Sequence, residues 1–210
     1  MVSARLDAFE HRVDGDPSHR RAAVAVTITD EGPGAALPGI DDPTGWSDRA
    51  ALLLTRRSAH LNNHPGQWAF PGGRLDDGET LVQAALREMH EEVGVALGED
   101  AVLGVLDDFV TRSGFAITPV VVWAGPHLEP QPNPAEVASI HRIPVTEFMR
   151  EDAPVLDATE TSEHPILRMP VGTDWIAAPT AALIYQFREV CLAGRDTRVA
   201  HFEQPEFAWR

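Results

Sequence analysis

The chain has 210 residues, 43% of them hydrophobic and 23% charged, and carries a formal net charge of −15. That length suits one decorated domain whose core needs neither disulfides nor a structural metal. The acidic surplus argues against a nucleic acid held through its phosphates, whereas a small anionic substrate is still accommodated if a bound cation inverts the local field.

The first residues lack the long apolar run of a signal peptide, and residues 3–12 suit a short helix. Residues 22–28, apolar except for Thr27, read as a buried strand. Residues 30–47 are rich in Gly, Pro and Asp and read as a surface loop. A second strand over 51–55 leads into a polar segment over 58–67, and Phe70-Pro71-Gly72-Gly73 marks a sharp turn. Residues 80–93 form the clearest helix of the chain. Further strands are predicted over 102–110 and 116–123, then a proline-rich loop over 125–134, a short strand over 140–145 and a helical turn to Arg150. Another strand is predicted over 166–169, and an apolar helix over 179–192 with Gly194 as its C-cap. The single cysteine, Cys191, falls on that helix and is expected to be a small buried hydrophobe. Mixed strands and helices imply a layered α/β domain over 22–195, with an N-terminal extension over 1–21 and a C-terminal tail over 196–210. No stretch approaches the about 20 apolar residues of a membrane helix.

The chemistry concentrates in residues 73–95. Glu88 and Glu91 stand three apart and Glu88 and Glu92 four apart, so a helix brings all three carboxylates to one face. Val82, Ala85, Leu86, Met89 and Val93 fall on a neighbouring, core-facing arc. At about 5 Å and an effective dielectric of about 20, each pair of these charges costs about 3 kcal/mol. Hard dications such as Mg²⁺ or Mn²⁺ remove that cost. Three glutamates alone would more readily suit a solvated helix face. The full spacing, Gly73-x5-Glu79-x7-Arg87-Glu88-Met89-x-Glu91-Glu92-x-Gly94-Val95, is far more specific. A chance match at a given start is on the order of 10⁻⁹.

This spacing resembles the Nudix box at every fixed position. The resemblance implies the α/β fold class, as an α/β/α sandwich around a mixed β-sheet in which the box forms loop, helix and loop. It implies that Glu88, Glu91 and Glu92 ligate Mg²⁺ or Mn²⁺ and that the Gly73 carbonyl joins them. Glu79 and Arg87 would orient the acidic face through an ion pair. His90 occupies a position the box leaves free and is expected to be a plain surface or packing residue.

Upstream, Leu53-Leu54-Thr55, Arg57-Ser58, Gly66 and Phe70-Pro71-Gly72-Gly73 are similar to the signature of the coenzyme A pyrophosphatase branch of that family. Residues 107–120 and 132–137 continue the likeness weakly. Asn62 stands where that signature has a second arginine, which puts binding of the 3′-phosphate of coenzyme A in doubt. Arg56, Arg57, Ser58 and Gly72 are the substrate-binding candidates, with a structural ion pair as the other reading for either arginine. Arg87, Glu88 and Glu136 are the catalytic candidates, Glu136 as an extra metal ligand or base. Trp68 suits either stacking on a base or the strand core, and Thr111 and Ser113 either a phosphate or a turn. The implied reaction is metal-dependent attack of water on the diphosphate of coenzyme A or an acyl-CoA, giving 3′,5′-ADP and 4′-phosphopantetheine, with Glu88 or Glu136 accepting the proton. ADP-ribose, a nucleotide sugar or a damaged nucleoside triphosphate is the alternative substrate, and a non-catalytic ligand sensor the alternative class. The expected partner is a small-molecule diphosphate, with no nucleic acid and no membrane. A homodimer is compatible with this reading, and the setting expected is cytoplasmic.

Overall fold

The computed structural model describes residues 1–61, 63–159 and 162–205. In chain order the elements are α1 (Val2–Asp7), β1 (Arg20–Gly32), β2 (Ser47–Arg57), β3 (Trp68–Ala69), β4 (Gly72–Arg74), α2 (Leu81–Val93), β5 (Val102–Val105), β6 (Phe109–Val110), β7 (Phe115–Trp123), β8 (Val137–Pro144), β9 (Val155–Thr159), β10 (Ser162–Val171), β11 (Asp174–Ala177) and α3 (Thr180–Phe187). A π-helical turn over Arg188–Ala193 extends α3 to Gly194, whose φ of 71° ends it as the sequence predicts.

β1 is the axis of a mixed sheet. It pairs in parallel with β7, from Arg20 beside Phe115 to Ile28 beside Trp123, and antiparallel with β2 and β4. A strand flanked on both sides and covered on both faces must be apolar throughout, which is why residues 22–26 carry no polar side chain. Its alternate residues serve two cores. Ala23 and Ala25 face α2 through Ala85, Met89 and Val93, while Val26 and Ile28 face α3 through Leu183, Ile184 and Phe187. β9, β10 and β11 form a separate antiparallel sheet that joins the α3 side through Leu167, Met169 and Ile176. The result is the expected helix, mixed sheet, helix layering.

Three stretches depart from expectation. Residues 30–32 continue β1 instead of opening a loop, because their acidic side chains are satisfied in the interior. Asp30 accepts from Trp46 Nε1 at 2.6 Å and His127 N at 2.8 Å and pairs with buried Arg142 at 2.8 Å. Glu31 takes a two-pronged pair from Arg49. The stretch 102–110 splits into β5 and β6, both on β7, with a register shift at Gly104 and buried Asp107 and Asp108 between them. Asp108 pairs with Arg21 at 2.8 Å and accepts from Thr118 Oγ1. β9 and β11 are absent from the sequence expectation: β9 alternates half-buried and exposed residues over five positions and β11 has one buried residue in four, too short for a clear period.

Described segments on both flanks of the sheet sequence pack on the core. Leu6, Val199 and Phe202 are buried in the α3-side cluster. Arg5 on α1 donates to the carbonyls of Cys191 at 2.8 Å and Leu192 at 2.5 Å, the unsatisfied end of the last helix. Cys191 is fully buried, as expected. Among the described residues no helix is long and apolar enough to cross a membrane.

Candidate active site

α2 is fixed at both ends by local chemistry. Thr80 Oγ1 accepts from Gln83 N and Gln83 Oε1 accepts from Thr80 N, a reciprocal capping box. Gly94 at φ 70° closes the other end by donating to the His90 and Met89 carbonyls. Ala84, Ala85, Leu86, Met89 and Val93 bury one face, and Val82 is partly buried beside them. That rotation carries Glu92 to the buried edge, 4% exposed, and Glu88 to a half-buried position, while Glu91 stays toward solvent.

Arg87 organises the acidic side. Its Nε and Nη2 donate to the two oxygens of Glu79 at 2.9 and 3.1 Å, and its Nη1 donates to Glu88 at 2.8 Å and Glu91 at 3.1 Å. Nη2 also donates to the Arg74 carbonyl at 3.0 Å, tying helix to turn. Hydrogen bonds from Arg87 hold the Glu79 carboxyl below its ordinary range, and the same bonds raise the guanidinium.

The cluster that forms comprises Glu88, Glu92 and Glu136, each with an oxygen within 4.8 Å of the others. Glu136 arrives from the proline-rich loop and is anchored by its own carbonyl, which accepts from Ser58 N at 2.7 Å. Burial first, then the charges of Glu88 and Glu136, push the Glu92 carboxyl up to about 8, against the pull of Arg57 and a hydrogen bond from Gly72 N–H. Burial raises Glu88 as well. A Cβ at Gly73 would overlap the Glu88 carboxylate, and one at Gly72 would overlap the backbone of β1, so glycines at these two positions let the acid sit against the turn. Three converging carboxylates, with burial resisting the ionisation of Glu88 and Glu92, fit a hard dication, which would favour their charged forms and draw oxygen ligands only.

The other predicted residues divide. Arg57 lines a cleft of about 300 Å³ with Gly72, Gly73, Phe70, Thr111, Ser113 and Phe115. Arg56, one residue away on a strand, points to the opposite side. Its guanidinium stacks over Trp68 at 3.9 Å, pairs with Asp174 and donates to the Gly66 carbonyl at 3.0 Å, so it locks β3 and β11 to β2 instead of facing the carboxylates. Ser58 is buried and serves the Glu136 contact. Trp68 is a packed wall at 6% exposure, and His90 is exposed on α2. Thr111 and Ser113 bond each other at 3.0 Å in the turn before β7 while also lining the cleft. Asn62 lies outside the described residues. Among the cleft residues that sequence reasoning missed are Phe115, Arg74, whose guanidinium lies 5.0 Å from the Phe115 ring centre, and His64. Nothing in local pattern distinguishes them; the cleft exists only once β7 is laid beside β1.

A mixed sheet between helices, with a carboxylate-bearing helix packed on one face and glycines where the acid meets the turn, defines an α/β sandwich with a cation-ready cleft. Residues 19–163 match the NUDIX domain family model, and the chain belongs to the Nudix family. Among its relatives, an uncharacterized Nudix hydrolase NudL of Pectobacterium atrosepticum is 34% identical over 173 residues, covering 81% of this chain and 83% of that one. The NudL of Citrobacter koseri is 38% identical over 148 residues, covering 70% and 69%. The match to NudL of Enterobacter sp. strain 638 is 41% identical over 104 residues, covering 49% of this chain and 54% of that one, so the likeness there spans about half of the relative's length. Two solved structures share the fold. A MutT/nudix family protein from Enterococcus faecalis superposes with a TM-score of 0.54 at 17% identity, covering 86% of this chain and 65% of that one. The M. smegmatis Nudix hydrolase RenU superposes with a TM-score of 0.50 at 24% identity, covering 83% and 87%.

Proposed function

We propose that the protein is a divalent-cation-dependent hydrolase of the diphosphate bond in nucleoside-diphosphate-linked small molecules, with coenzyme A or an acyl-CoA as the foremost substrate. The observation that carries this reading is the convergence of Glu88, Glu92 and Glu136 at the glycine turn beside a cleft that Arg57 also lines. The relatives' naming as Nudix hydrolases supports it.

Glu88, Glu92 and Glu136 would hold Mg²⁺ or Mn²⁺, with the Gly73 carbonyl and the solvent-facing Glu91 available to complete the set. When bound, the dications neutralise the diphosphate and make water a competent nucleophile at neutral pH. Arg87 positions Glu88 and Glu91 through its bonds to both and is itself fixed by Glu79. Arg57 clamps substrate phosphate. A carboxylate oxygen of Glu88 or Glu136 takes the proton of the attacking water. From coenzyme A the products are 3′,5′-ADP and 4′-phosphopantetheine.

One observation favours a different diphosphate: Asn62 replaces the second arginine of the coenzyme A signature. The deciding experiment incubates the protein with Mg²⁺ or Mn²⁺ and coenzyme A, an acyl-CoA, ADP-ribose, NADH and 8-oxo-dGTP, and identifies products by mass. Release of 3′,5′-ADP from coenzyme A is the expected result. Turnover of ADP-ribose or 8-oxo-dGTP alone would move the substrate, and no turnover at all would overturn the hydrolase reading in favour of a ligand sensor.

A further inference from the structure

Two buried side-chain nitrogens in the cleft have no hydrogen-bond partner among the described residues, Arg57 Nε and His64 Nδ1. Both side chains line the cleft that Phe70 and Phe115 also line. They are close enough that the Arg57 charge, after burial, holds the His64 imidazole below its usual range. Arg57 feels the charge of Glu92 but makes no ion pair among the described residues. His64 also holds a φ of 55°, the left-handed region that disfavours a side chain. An unanswered nitrogen and a disfavoured backbone at the same residue mark a position kept for a ligand more than for the fold.

We propose that Arg57 and His64 together receive a phosphate monoester of the substrate, separate from the diphosphate held at Glu88, Glu92 and Glu136. This rests on the hydrolase reading above and names the end of the substrate that this wall selects. Cations at the glutamates answer the charge of the diphosphate, so the two nitrogens beside them need acceptor oxygens of their own. Phe70, Phe115 and Ile117 offer an apolar wall in the same cleft for a nucleobase. The soft terminal torsion of His64 turns its ring nitrogen to the cleft with little cost.

The test is calorimetric titration of the full chain with adenosine 3′,5′-bisphosphate and with 5′-AMP, which differ by one phosphate monoester. The wild type is expected to bind the bisphosphate about tenfold more tightly, and His64→Gly to narrow that preference to less than about threefold. Glycine removes the imidazole without straining the left-handed backbone, and His64→Asn, which tolerates the same backbone and keeps an amide donor, is expected to retain the preference. Equal affinities in the wild type, an unchanged preference in His64→Gly, or loss of preference in a folded His64→Asn would each overturn the assignment. Turnover of dephospho-coenzyme A, which lacks the extra phosphate, reads the hydrolase reading separately. Wild-type turnover combined with equal nucleotide affinities defeats the phosphate site alone.

Discussion

Replacing Glu92 by Gln should have opposite consequences for stability with and without metal. In the metal-free protein the Glu92 carboxyl rises from an ordinary 4.5 to about 8, chiefly through burial. The folded state therefore binds this proton more tightly than the unfolded state does. The stabilisation is complete below about pH 4.5 and is lost as pH climbs through about 8. Near pH 7.5 the ionisation penalty reaches at most about 4 kcal/mol, because each pH unit between the two values is worth about 1.4 kcal/mol. Glutamine has nearly the same shape, stays neutral and still accepts from Gly72 N–H. In EDTA near pH 7.5, Glu92→Gln should melt several degrees above the wild type, with a ceiling of roughly 15 °C at about 2–4 °C per kcal/mol. Near pH 5 most of the difference should vanish. With saturating Mn²⁺ the order reverses: the wild type gains by metal linkage while the variant gains little. Differential scanning fluorimetry over this grid of pH and metal reads all of it. A variant less stable in EDTA near pH 7.5, or an advantage independent of pH, would refute the reasoning.

Gly73→Ala places a methyl where the Glu88 carboxylate sits; Mn²⁺ affinity by calorimetry should fall about tenfold while stability drops by about 1–3 kcal/mol. Arg87→Lys keeps the charge but loses the fork that grips Glu79 and Glu88. Diphosphate turnover should decline about 10–100-fold, and a wild-type rate would remove Arg87 from the positioning role. Arg142→Ala leaves Asp30 charged in the interior without its partner, so urea unfolding should show a loss of about 3–5 kcal/mol.

Much of the acidic helix was legible because its signals are local. Thr80 and Gln83 cap it, Gly94 ends it, and the spacing of Glu88 and Glu92 fixes a face without reference to the rest of the chain. Glu91 shows the limit of that reasoning. It shares the helical arc with its two neighbours, yet the burial of the Ala85, Met89 and Val93 face leaves it to Arg87 and solvent, and the third member of the cluster, Glu136, comes from more than forty positions beyond Glu92. Arg56 and Arg57 could not be separated by composition; strand alternation sends them to opposite sides once β2 lies between β1 and β8. Residues 30–32 look like loop because Asp and Glu are poor strand formers, and only the distant partners Trp46, His127, Arg49 and Arg142 make their burial tolerable. β9 and β11 are short and half-exposed, so their pairing with β10 is a tertiary outcome with little imprint on hydrophobic pattern.

The way residues 2–7 and 199–202 pack on the side of the last helix bears on where the polypeptide can be cut. The family model spans 19–163, but a fragment trimmed to those limits would shed Leu6, Leu167, Met169, Ile176, Leu183, Ile184, Phe187, Val199 and Phe202 together. One whole side of the central sheet, with Val26, Ile28 and Leu52 on it, would then face water, a patch large and flat enough to drive self-association. Expression of a fragment cut to 19–163 should yield inclusion bodies, and recombinant work on this protein is best begun with the segments around Leu6 and Phe202 retained.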